Sequence, residues 1–168
     1  GEGSISEADA LIPYLKQITG DVQLKKPLKI AVDCGNGVAG VCAEALFKQL
    51  GCDVVPLYVE IDGTFPNHHP DPSKPKNLVD VITAVKTQHC DVGLAFDGDG
   101  DRVGVITEHG ELIFADRLMM LLSEDVLSRN AGATIIYDVK CSRHLGPVIK
   151  RAGGCLLYTS PSPRDPSI

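Results

Sequence analysis

Short β-branched runs alternate along this chain with segments of helical periodicity, and that alternation leaves few folds open. Lys29–Val32 (KIAV) and Asp53–Val59 predict strands. Between them, Val38–Leu50 carries apolar residues at helical spacing until Gly51 stops the run. Asn77–His89 predicts a second helix with Asn77 as its N-cap, and Asp91–Phe96 (DVGLAF) a third strand. Arg102–Thr107 and Glu111–Phe114 read as a strand pair turned at His109-Gly110. A helix over Asp116–Arg129, a strand over Thr134–Asp138 and a helix over Arg143–Arg151 follow. Leu11–Ile18 adds a short helix or lead-in that ends near Gly20, and proline-rich Gly63–Pro75 (GTFPNHHPDPSKP) a loop. Strands joined through helices of this length make βαβ units, so the expected class is α/β, with a mixed, mainly parallel sheet and helices on both faces. Such sheets bind their ligands at the C-terminal ends of strands.

The run Asp97-Gly98-Asp99-Gly100-Asp101-Arg102 occupies that position, directly after DVGLAF. Glycines between the acids let the backbone curl so that the carboxylates converge. Converging carboxylates repel one another unless a cation neutralises them, and short hard-oxygen arms suit Mg²⁺ or Ca²⁺. A calcium EF-hand loop would take acids at its first, third and fifth positions, as here, but demands Gly at the sixth, where Arg102 stands. The flanks also read as strands and not as helices. An Arg beside a metal at a strand end is a common way to build a site for phosphoryl groups.

Gly35-x-Gly37-x-x-Gly40 matches the dinucleotide fingerprint in its spacing and in its place between a strand and a helix, with Asp53 and Glu60 downstream. An NAD-dependent oxidoreductase is therefore a rival reading, and a non-catalytic calcium-binding module a third. Against the first, Asp33 and Cys34 separate strand from glycine, and Asp53 starts its strand where the ribose-binding acid should end one. Glycines at a βα turn also serve tight packing alone.

The formal charge of −6 comes from acids and bases scattered along the chain, which argues against a nucleic-acid surface. The six cysteines form no C-x-x-C pair and sit mostly in apolar runs, pointing to a reducing, cytoplasmic compartment. No apolar run approaches the roughly 20 residues that span a bilayer, and no signal-peptide pattern opens the chain. At the other end, Cys155–Asp165 (CLLYTSPSPRD) resembles a translated transposase sequencing adapter, so residues 155–168 are expected to lie outside the fold as an artefact.

GLAFDGDGDRVGV (Gly93–Val105) resembles the metal-binding loop of the α-D-phosphohexomutases. KIAVDCGNGVAG (Lys29–Gly40), DGTFPNHHPDP (Asp62–Pro72) and YDVKCSRHL (Tyr137–Leu145) extend that resemblance over roughly residues 8–154. It implies a four-domain parent. Residues 1–8 would end the first domain or link it, 9–111 would form the second domain with the metal loop, and 112–154 would be the truncated, incomplete start of an α/β third. Position by position it implies Asp97, Asp99 and Asp101 as Mg²⁺ ligands, completed by a phosphoserine oxygen from outside this chain. It places Arg102 at the active site, near that phosphoserine or the bound sugar phosphate. Lys140 becomes a substrate-facing or acid/base residue, although the residues alone read equally as a solvated lysine at a strand end. His68 and His69 fall in the family's proline-rich loop and are expected to be structural or interdomain, since adjacent histidines rarely share one ion.

The implied reaction interconverts hexose 1- and 6-phosphates, of mannose and glucose alike, through the phosphoserine and a bisphosphate intermediate. The implied partners are hexose phosphates, with no nucleic acid and no membrane. No serine here stands in the family's nucleophile context, Thr-Ala-Ser-His-Asn-Pro, so the chain alone is expected to be inactive.

Overall fold

Strand β1 (Lys29–Asp33) reads as a continuous apolar run because it is covered on both faces. Ile30 and Val32 pack with Ala39 and Ala43, while Ala31 packs on the opposite side with Leu78, Val81, Val85, Ala95 and Ile106. The computed structural model describes residues 3–159. Its chain divides into two compact units, Gly1–Leu112 and Ile113–Ile168.

In the first unit, β2 (Asp53–Leu57) and β3 (Val92–Phe96) flank β1 in parallel, with Asp33 opposite Leu57 on one side and Ala95 on the other. β4 (Val103–Thr107) runs antiparallel to β3, and β5 (Leu112–Ile113) completes the order β2-β1-β3-β4-β5. Helix α1 (Leu11–Asp21) packs against α2 (Ala43–Gln49), which links β1 to β2. Helix α3 (Val79–Gln88) links β2 to β3 across the other face, where its Val81 and Val85 join the core. Gly93 permits that approach, since a Cβ there would stand 2.7 Å from Val85 Cγ2. β2 and β3 thus lie on opposite sides of β1, and the chain reverses its progress across the sheet between them. The loops leaving β1 and β3 open into the crevice where sheets of this type hold ligands. The α/β class with a mixed, mainly parallel sheet is as the alternation requires.

Two local expectations change. The helix expected over Val38–Leu50 is a 3-10 turn at Val38–Val41 followed by α2, because Gly40 presses against the backbone of Val59. A Cβ at Gly40 would lie 1.9 Å from the Val59 carbonyl oxygen. Asn77 caps no helix: it lies inside a 3-10 turn (Pro75–Leu78), buried, and its Nδ2 donates to the Asp71 carbonyl at 3.0 Å.

The second unit holds α4 (Ala115–Arg129), β6 (Thr134–Asp138), α5 (Leu145–Arg151) and β7 (Cys155–Thr159) around Leu127, Leu145 and Ile149. The expectation that the fold ends before Cys155 is corrected by β7, which pairs in parallel with β6 from Thr134↔Cys155 to Asp138↔Thr159. CLLYT is apolar and carries strand-forming residues, so it fills a strand position beside β6. Residues 160–168, the remainder of that expectation, lie outside the described residues. All six cysteines are free. Among the described residues, no helix is long and apolar enough to cross a membrane.

Candidate metal centre

The acidic motif is the connection between β3 and β4. The Asp97 amide donates to the Arg102 carbonyl at 3.2 Å, and the Gly100 amide turns back to the Asp97 carbonyl at 3.1 Å. Gly100 takes a φ of +74°, a left-handed conformation that disfavours any side chain. The curl brings one carboxylate oxygen each of Asp97, Asp99 and Asp101 within 4.8 Å of one another. Asp97 is fully buried, whereas Asp99 and Asp101 face solvent. Hard oxygen donors converging from two exposed arms and one buried one match the chemistry of a hard divalent cation.

Arg102 serves the buried acid directly. Its amide donates to Asp97 Oδ1 at 3.0 Å and its Nε to Oδ2 at 2.6 Å. The same guanidinium lies 3.6 Å from Asp101 and 3.9 Å from Asp71, yet its side chain is 63% exposed. Burial works against an ionised Asp97, but the amide, side chain and charge of Arg102 outweigh it and hold that carboxyl below the ordinary range. Asp101 moves the other way, raised by the charge of Asp99 first and then by Asp97. That residual repulsion is what a bound cation would relieve.

The glycine loop buttresses this hairpin. The Val38 amide donates to the Gly98 carbonyl at 3.1 Å, and a Cβ at Gly37 would meet that oxygen at 2.8 Å. Gly35 has a φ of +51° and abuts Pro70. These glycines therefore provide loop-to-loop contact, and the 3-10 turn that follows replaces the α-helix N-terminus a pyrophosphate would need. Asp53 stands exposed at the start of β2. An apolar pocket of about 230 Å³, lined by Tyr14, Val38, Phe47 and Phe96, opens beside Asp99 and Gly100.

Of the other expected residues, Lys140 belongs to the second unit. It sits in a turn past β6, with its amide donating to Asp138 Oδ1 at 2.9 Å. His68 points inward, its Nε2 3.0 Å from Asp33 Oδ2, and the ring of His69 stands edge-on to Phe65. Neither histidine belongs to the converging carboxylate group. Two acids escaped the sequence reading. Asp33, buried at the end of β1, registers there only as the residue before a glycine loop. Asp71 is fixed by Ser73, whose hydroxyl and amide donate to its Oδ1 at 2.6 and 3.0 Å. Its signal was the Asp-Pro-Ser turn itself.

Fold and site together define an α/β/α domain that carries three converging aspartates at the switch point of its sheet. Residues 12–110 match the family model described as phosphoglucomutase/phosphomannomutase, alpha/beta/alpha domain II. The chain belongs to the phosphoglucomutase/phosphomannomutase family. It is 59% identical over 153 residues to a phosphomannomutase/phosphoglucomutase of Pseudomonas putida, covering 91% of this chain and 33% of that protein. A phosphoglucomutase of Neisseria meningitidis is 56% identical with the same coverage of both chains. A crystal structure of a phosphoglucomutase/phosphomannomutase family protein from Burkholderia thailandensis superposes with a TM-score of 0.93 at 52% identity, covering 96% of this chain and 35% of that one. The chain thus spans about a third of the length of the curated relatives it matches.

Proposed function

We propose that this chain is the cation-binding portion of a phosphohexomutase whose full-length form interconverts hexose 1- and 6-phosphates of mannose and glucose. The observation that carries the reading is the convergence of Asp97, Asp99 and Asp101 at a strand end, within 4.8 Å of one another, in a chain of this family. Relatives named for phosphomannomutase and phosphoglucomutase activity support the substrate class. On this reading residues 9–111 are the second domain of the parent, and 112–154 open the third.

The three aspartates would hold Mg²⁺, with a phosphoserine oxygen from the rest of the parent as a further ligand. When bound, Mg²⁺ neutralises charge on the phosphoserine and in the transfer transition state. Asp97, ionised within the fold through Arg102, presents a fixed carboxylate that needs no proton loss before it binds. Arg102 keeps an exposed guanidinium that can turn a face to phosphate while its Nε stays on Asp97. In the first transfer the phosphorus–oxygen bond to serine breaks as a bond to a sugar hydroxyl oxygen forms, and that hydroxyl gives up its proton; in the second, the other phosphoryl group of the bisphosphate leaves its sugar oxygen, which takes up a proton, and bonds to the serine oxygen, which gives one up. Lys140 is assigned to the substrate side or to that proton transfer. The serine lies outside this chain, so the chain alone is inactive. Six free thiols support a reducing, cytoplasmic location.

The test is the uninterrupted parent, assayed for conversion of mannose 1-phosphate and glucose 1-phosphate to the 6-phosphates. Activity should require Mg²⁺ and collapse on Asp99→Ala. An unchanged rate in that variant would refute the metal assignment.

A further inference from the structure

Next to the loops that support the acidic hairpin, the fold pairs the buried Asp33 with the partly buried His68, two groups that the proposed chemistry does not use. Asp33 is 1% exposed; its Oδ1 accepts the Gly35 amide at 2.8 Å and its Oδ2 lies 3.0 Å from Nε2 of His68. The other ring nitrogen, Nδ1, lies 3.1 Å from the carbonyl oxygen of His69. Both nitrogens therefore face oxygens. A neutral imidazole has one N–H and one lone pair, so beside an ionised Asp33 it would set that lone pair against an oxygen. Tyr58 packs edge-on to the ring at 5.4 Å and donates its hydroxyl to Asp80 at 2.9 Å, so Tyr58 and Asp80 are the other titratable groups on that side.

The pair joins segments 35 positions apart, and each segment touches the acidic loop. From the β1 side, Val38 donates to the Gly98 carbonyl. From the proline-rich side, Pro70 packs so closely that a Cβ on Gly98 would meet its Cγ at 3.3 Å, and Asp71 faces Arg102 at 3.9 Å. We propose that Asp33 and His68 form a positioning pair, which clamps the proline-rich loop to the end of β1 and so sets Pro70 against Gly98 and Asp71 against Arg102. The three aspartates then hold their spacing before a cation arrives. The inference rests on the acidic loop being a divalent-cation site.

The test is Mn²⁺ binding to the whole chain, followed by water-proton relaxation. His68→Leu removes the ring nitrogen that faces Asp33 and is expected to weaken binding about 10-fold, the scale on which supporting residues tune metal sites. His68→Gln returns a donor toward Asp33 and should recover most of the affinity. Val85→Ala, a cavity variant against Gly93 near the other end of β3, should lower the unfolding midpoint yet keep Mn²⁺ affinity within about two-fold, as separated sites act independently. Should His68→Leu fail to fold, His68→Asn, polar but too short to reach Asp33, takes its place with the same expectation. Wild-type affinity in the folded variant overturns the pair's role, and so does an equal loss in Val85→Ala. Absence of Mn²⁺ binding by the wild type would overturn the cation reading and the pair's role together.

Discussion

The two units of this chain spend similar sequence patterns on different degrees of closure. In the first, a five-stranded sheet carries two separate clusters of buried residues, one on each face, that meet at β1. In the second, two strands and one cluster around Leu127, Leu145 and Ile149 leave Leu121, Leu122, Ile136 and Leu157 about half or more exposed. The difference teaches where a precise site can be built. A fully buried carboxylate such as Asp97 persists only where packing and a dedicated partner fix it, and the first unit provides both.

That contrast can be broken at several points. The largest effect is expected from Asp99→Ala, which should weaken Mg²⁺ binding at least about 100-fold, more than supporting residues cost, while leaving the unfolding curve in place because Asp99 is exposed. Calorimetric titration checks it. Ile30→Ala removes a 2% exposed side chain from the sheet centre and should cost the first unit about 2–5 kcal/mol by urea unfolding.

Arg102→Ala should cost less, for the lost side-chain bond to a buried carboxylate. Its signature is in pH. Asp97 has a folded pKa below its unfolded value of 3.8, so its contribution to stability is present above that value and is lost as pH falls through the lower one. Unfolding curves taken from pH 7 downward should show that loss in the wild type and a smaller one in Arg102→Ala. Smallest of all, Leu122→Ser alters a side chain 55% exposed on α4 and should change stability by about 0.5 kcal/mol or less. A large loss there would mean that the second unit is better closed than its surface indicates.

What the sequence made legible follows the range of the interactions concerned. β1, β3 and the acidic loop are determined locally, by β-branched runs and by glycines between acids, and all three stand where the pattern puts them. The start of α3 was missed because the Asn77 amide is claimed by the Asp71 carbonyl, a contact no helix-capping rule anticipates. The helix after β1 was drawn too long because the clash at Gly40 comes from Val59, a residue of the next crossover. Asp33 with His68, and Asp71 with Arg102, stayed invisible for the same reason: each pair is made by the fold bringing separate loops together. Cys155–Thr159 resembles adapter-derived sequence, yet its apolar run pairs with β6 residue by residue.

The central claim is that the hairpin between β3 and β4 takes a divalent cation through three aspartates, within the first unit alone. Amide NMR of the chain during Mg²⁺ titration tests it most directly. Saturable shifts are expected at residues 97–102 and at Val38, whose amide bonds to Gly98, with residues 134–159 unmoved and the response abolished in Asp99→Ala. Shifts that persist in Asp99→Ala, or that center on the second unit, would contradict it.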